Sequence, residues 1–84
     1  MTNNLIELID ISIKDIDSCM RCHNLGNLQH NRKIFKMIYD LLDYVTFSYE
    51  LGFINKLHYK HFSRLLVNRK NKLNLFYIVN GGSL

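Results

Sequence analysis

Residues Asn31–Leu66 read N-R-K-I-F-K-M-I-Y-D-L-L-D-Y-V-T-F-S-Y-E-L-G-F-I-N-K-L-H-Y-K-H-F-S-R-L-L, and this stretch decides the fold. Before Asn55, the apolar residues Ile34, Met37, Ile38, Leu41, Leu42 and Val45 recur at steps of three and four. That spacing places one stripe along one side of a helix. After Asn55, Tyr59, Phe62, Leu65 and Leu66 obey the same rule. Between them, Gly52 can adopt the left-handed conformation that ends a helix, and the side-chain oxygen of Asn55 can cap the next one. A connection this short turns the chain back on itself, so the stretch predicts an antiparallel helical hairpin.

Upstream, Asn4 to about Cys22 carries Ile6, Ile9, Ile13, Ile16 and Met20 in a three-four-three-four seam, the pattern of a helix packed along a neighbour. Isoleucine is a modest helix former, so packing must hold this segment. Asn24, Gly26 and Asn27 mark a turn, and the second helix is expected from about Leu28 to Leu51. Downstream, a third helix is expected from Asn55 to about Asn80, closed by Gly81-Gly82. Its stripe skips at Arg69 and resumes at Leu73, Phe76 and Ile78, with the polar patch Asn68–Lys72 in the gap. There the helix either continues or gives way to a short fourth element. Leu73–Val79 has the β-branched and aromatic content of a strand, but a lone strand has nothing to pair with. The expected architecture is all-α: one small antiparallel bundle spanning residues 1–84, with three helices or with three and a short fourth C-terminal element.

Eighty-four residues leave no room for a second core. The longest purely apolar run, Leu75–Val79, is far too short to span a bilayer. Met1-Thr2-Asn3-Asn4 has no positive region and acids interrupt the apolar residues after it, so no secretory signal is expected. The expected location is the cytoplasm, where Cys19 and Cys22 are reduced thiols.

The net charge of +4 hides a polarity. Residues 1–50 carry five cations against seven acids, whereas residues 51–84 carry six cations and no acid. One explanation is an anionic partner such as nucleic acid. The other is internal: the basic helix lies against acidic faces of the first two. For the first, the candidate phosphate contacts are Arg32, Lys33, Lys36, Lys60, Arg64, Arg69, Lys70 and Lys72. Arg32, Lys33 and Lys36 also sit near the start of their helix, against its dipole, which an anionic ligand would relieve. Aromatic rings beside Lys60, Arg64, Arg69 and Lys70 could stack on bases, although most rings at helical spacing are core. Phe35 and Phe47 fall off the main stripe of the second helix. Exposed aromatics there point to a second packing surface, for a protein partner or self-association.

Cys19-Met20-Arg21-Cys22-His23 matches the C-x-x-C-H attachment pattern for c-type haem. Such attachment usually comes after export, and the motif lies at the end of an amphipathic helix with Met20 on its core stripe, so no haem is assigned. Adding His58 and His61, or His30, to the two cysteines would complete a tetrahedral zinc set. The spacing between the pairs is not diagnostic and the hairpin needs no metal to fold, so no metal or other cofactor is assigned. No glycine-flanked nucleophile, phosphate loop or paired-acid arrangement is present. Asp15 and Asp17, two apart, do not share a helix face. A non-enzyme is expected.

Around the hairpin, Asn31-Arg32 opens the second helix. Then come Tyr49-Glu50-Leu51-Gly52-Phe53-Ile54, Tyr59-Lys60-His61-Phe62 with Leu65-Leu66, and finally Gly81-Gly82. Over about half the chain this resembles a family of small four-helix bundles. These are the accessory variability proteins of diversity-generating retroelements and the related proteins encoded in intervening sequences of 23S ribosomal RNA genes. The resemblance implies a helical bundle that assembles into a ring-like homo-oligomer. It also implies a basic surface, here Arg32, Lys33, Lys36, Lys60 and Arg64, that binds nucleic acid and docks on a reverse transcriptase. The expected function is a nucleic-acid-binding accessory protein of a mobile element or phage. The alternative is a protein-interaction module, such as a small phage or viral inhibitor or adaptor, offering an aromatic and aliphatic helix face.

Overall fold

The computed structural model describes residues 2–22 and 28–79, with side chains for residues 4–21 and 30–75. Three helices succeed one another: α1 (Thr2–Cys22), α2 (Leu28–Glu50) and α3 (Lys56–Val79). The described residues contain no strand, and the all-α bundle is as the periodicity predicts.

The α2–α3 connection is built by the residues that predict it. Gly52 has φ of +82°. Its N–H donates to the Tyr49 carbonyl at 3.0 Å, and the Phe53 N–H donates to the Ser48 carbonyl at 2.8 Å. These two bonds form a Schellman motif, which satisfies carbonyls that the end of α2 leaves without helical partners. The His58 N–H then donates to Asn55 Oδ1 at 2.8 Å, so Asn55 caps α3. Ile54, between the two devices, is buried and anchors the turn to the core. Beside the turn, Tyr49 and Tyr59 stack at 4.5 Å with ring planes 10° apart and join the end of α2 to the start of α3.

α1 contributes Ile9, Ile13 and Ile16 to the core, with Ile6 and Met20 partly buried beside them. Burying an isoleucine fully contributes roughly 1.5–3 kcal/mol, whereas its helix-propensity deficit stays below about 0.7 kcal/mol. Packing therefore decides the conformation of α1, as its composition requires. α2 supplies Ile34, Phe35, Ile38 and Val45, and α3 supplies Phe62, Leu66 and Leu73.

One expectation changes and one open alternative is decided. Phe35, expected on an exposed face, is only 7% exposed. The cause is the position of α2, which packs against both α1 and α3. A helix with two neighbours buries a wider arc than one stripe, and Phe35 falls inside it, stacked on Tyr39 at 6.4 Å. Phe47, by contrast, is 62% exposed, as expected. The alternative left open concerns α3, which runs unbroken through Asn68–Lys72, as one continuous helix. The apparent skip at Arg69 is no break. Arg69 occupies the core stripe itself, between Leu66 and Leu73, and its charge is met by Asp17 of α1. Phe76 and Ile78 lie outside the described side chains, and Gly81-Gly82 outside the described residues.

Candidate nucleic-acid interface

The up-down-up topology brings three chain segments to one end of the bundle. α3 returns along α2, so its second half lies beside the first half of α2. Arg69 of α3 pairs with Asp17 of α1, so the second half of α1 lies there too. By helix halves, that end collects Lys14, Arg21, Arg32, Lys33, Lys36, Arg69, Lys70 and Lys72 against Asp15 and Asp17, and Asp40, at its border, reaches Lys36. The hairpin half carries Lys56, Lys60 and Arg64 against five acids. The division in space is as uneven as that along the chain, +6 at one end and −2 in the other half, but it draws on all three helices.

Not all of these cations are equally free. Arg69 donates from Nε to Asp17 Oδ1 at 2.9 Å and from Nη2 to Oδ2 at 3.0 Å. Its Nη1 donates to the Leu65 carbonyl at 3.0 Å. The guanidinium is partly buried and its fork is filled, a geometry that fixes orientation as well as charge. Arg69 thus serves the fold, and for this one cation of the third helix the internal explanation holds. Lys36 meets Asp40 at 3.2 Å on the open surface of α2, a pair that water and salt screen. Arg32, Lys33 and Lys72 project into solvent, and Lys70 is half-buried.

A cleft of about 380 Å³ opens at this end between α1 and α3, lined by Asp17, Met20, Arg21, Asn68, Arg69 and Lys72. Arg21 is the residue that sequence reasoning missed. It lies in the last turn of α1, where it donates to Ser18 Oγ at 3.4 Å. Only the three-dimensional arrangement places it beside Lys72. Lys60 and Arg64, expected with this group, lie elsewhere. They are exposed on the outer side of α3, in the hairpin half, and Lys60 is about 18 Å along the helix from Lys72.

The candidate metal ligands within the described residues are not brought together. Among the described residues no group of three or more His, Cys, Asp or Glu side chains converges. His58 and His61 both pack on Phe62, with ring centroids at 6.3 and 5.5 Å. Cys19 is half-buried against the core, while the side chains of Cys22 and His23 lie outside the described set. Among the described residues no helix is long and apolar enough to cross a membrane. No family model, curated protein or solved structure matches the chain.

Proposed function

We propose that the chain is a non-enzymatic nucleic-acid-binding protein whose basic end grips a phosphate backbone. One observation carries the reading: eight cations from three helices gather at one end against two acids, Asp15 and Asp17. The contacts are assigned to Arg21, Arg32, Lys33, Lys36, Lys70 and Lys72, with Arg69 orienting α1 against α3 beneath them. Such contacts read charge and not sequence. An accessory role in a mobile element or phage, beside a reverse transcriptase, is the setting that the resemblance of the hairpin implies.

Affinity of the purified, nuclease-treated protein for a single strand and a duplex across a salt series tests the reading. About six phosphate contacts give a log–log slope of roughly −4 to −5. Charge reversal at Lys33 and Lys72 should flatten that slope by about two contacts while helicity stays unchanged. No binding at low salt would remove nucleic acid as the partner.

The exposed hairpin tip favours a second reading, that of a protein-interaction module. Phe47, Leu51, Phe53 and Leu57 all stand largely in solvent there. That module would show a salt-insensitive protein complex, lost on Phe47→Ala.

A further inference from the structure

We propose that the cleft between the second halves of α1 and α3 is a pocket for one nucleotide carrying a terminal phosphate monoester, free or at the end of a strand. The choice of a nucleotide rests on the nucleic-acid reading. The pocket rests on its own side chains.

The cleft measures about 380 Å³, within the roughly 300–1,000 Å³ of small-molecule pockets. Asp17, Met20 and Arg21 line it from α1, and Asn68, Arg69 and Lys72 from α3. Arg21, Asn68 and Lys72 are exposed and form its mouth, whereas Asp17, Met20 and Arg69 are half-buried and form its floor.

The charge of the lining selects the anion. Both Asp17 oxygens accept from Arg69, at 2.9 and 3.0 Å, so these two charges answer each other inside the fold. Arg21 and Lys72 remain, and leave the mouth at +2. Arg21 donates to the uncharged Ser18 hydroxyl at 3.4 Å, a long bond that an anion displaces at little cost. A phosphate diester inside a strand carries one negative charge. A terminal monoester carries about 1.5–2 at pH 7. The monoester therefore matches Arg21 and Lys72 together, and a diester leaves one of them unanswered.

The floor suits a flat ring. Arg69 donates from Nε and Nη2 to Asp17 and from Nη1 to the Leu65 carbonyl. These bonds hold its plane still, and a held guanidinium plane is a stacking surface for a base. Met20 adds a polarisable thioether, which also favours aromatic rings. The Asn68 amide offers donors and an acceptor to the ring edge. The bonds that keep Arg69 from gripping a phosphate thus make it a platform, while Arg21 and Lys72 take the charge. α2 lends the cleft none of its described side chains, so Arg32 and Lys33 stand apart from this pocket.

The test compares one oligonucleotide phosphorylated at one end, at the other end, or at neither, and a phosphorylated form whose terminal residue is abasic. A free nucleoside monophosphate and inorganic phosphate serve as competitors. One phosphorylated strand should bind about tenfold more tightly than the unphosphorylated one, the low end for charge-assisted bonds. Removing the terminal base should cost about fivefold, the low end for stacking. Arg21→Gln/Lys72→Gln should abolish the preference for the phosphorylated end. Arg32→Gln/Lys33→Gln should weaken every strand and keep that preference. The abasic comparison uses the wild-type chain, so it decides even if a variant loses helicity. Equal affinity for all strands, with no competition by the monophosphate, overturns the pocket and leaves the nucleic-acid reading standing. A preference lost equally in both variants overturns it too, because total charge would then explain the effect. Inorganic phosphate competing as well as the monophosphate also overturns it, since the ring would contribute nothing. Binding of the free monophosphate without any strand supports the pocket and removes the strand reading. A preferred strand end with a weak free monophosphate supports the pocket and assigns its ligand to the strand.

Discussion

At the hairpin end, five residues within Glu50–Asn55 hold the chain: Glu50 closes α2, Gly52 and Phe53 make the Schellman bonds, Ile54 anchors, and Asn55 caps α3. At the opposite end the described contact between α1 and α3 is a pair 52 residues apart, Asp17 with Arg69. The first end is organised by backbone geometry and neighbours in sequence. The second depends on a charged side chain placed in the core stripe and answered from another helix. The contrast shows that a small bundle can be locally determined at one end and globally determined at the other. It also explains why the globally determined end is the one with chemistry to offer: its charges are brought there from three segments.

The largest effect should come from the long-range pair. The two side chains are roughly a quarter exposed, so their interaction lies between an exposed pair, worth up to about 1 kcal/mol, and a buried one, whose breaking costs about 3–5 kcal/mol. Asp17→Ala should lower stability by roughly 1–2 kcal/mol, because Arg69 keeps its burial and loses its anion. The loss should be uneven. Hydrogen exchange should speed up in the second half of α1 and leave Ser48–Tyr59 protected. The double variant Asp17→Ala/Arg69→Met should recover much of the loss, since an apolar side chain suits the stripe between Leu66 and Leu73. Equal loosening of both ends would break the comparison, because the pair would then be holding the whole bundle.

The two ends are unequally legible for the same reason. The hairpin, the caps and the seam of α1 come from periodicity and from the preferences of glycine and asparagine, which act within one or two turns. Arg69 reads as a gap because a cation in a core stripe is rare, and its partner becomes known only once α1 is placed parallel to α3. Phe35 reads as exposed when a single stripe is assigned to a helix that has two neighbours. Arg21 escapes notice because its helix is otherwise acidic, and its proximity to Lys72 is a consequence of topology. The basic composition of the third segment is plain in the sequence. Its division into an internal pair, an end cluster and an outer stripe is not, since charges along one helix separate only when its neighbours are in place.

Smaller effects are expected at the hairpin. An added Cβ at Gly52 meets nothing within 4 Å, so its cost is purely conformational. The left-handed conformation costs a residue with a Cβ about 1–2 kcal/mol, offset by up to ~1 kcal/mol through the restricted unfolded chain. Gly52→Ala should therefore destabilise by about 1 kcal/mol, and Gly52→Asn by less, because asparagine tolerates this region. Asn55→Ala removes the cap and should cost about 1 kcal/mol, while Asn55→Asp keeps the acceptor and adds charge favourable to the start of α3. Chemical denaturation of the four proteins provides the check. A loss at Gly52→Asn as large as at Gly52→Ala would mean that the turn needs something other than its backbone angle.

The smallest effect separates two ion pairs that look alike on paper. Lys36 and Asp40 meet at 3.2 Å, and Arg69 and Asp17 at 2.9 Å, yet the first pair is mostly in water and lies within one helix. An exposed pair four residues apart contributes about 0.3–0.5 kcal/mol, and here the cation precedes the acid, the weaker order for a helix dipole. A double-mutant cycle on Lys36 and Asp40 should give less than about 0.5 kcal/mol, falling towards zero as salt is added. The same cycle on Asp17 and Arg69 should give a larger coupling that salt reduces only in part, since one face of that pair is screened by protein. If the two couplings were equal and equally salt-sensitive, the far end would be held by apolar contact alone. The bidentate geometry would then be a consequence of helix placement and not one of its causes.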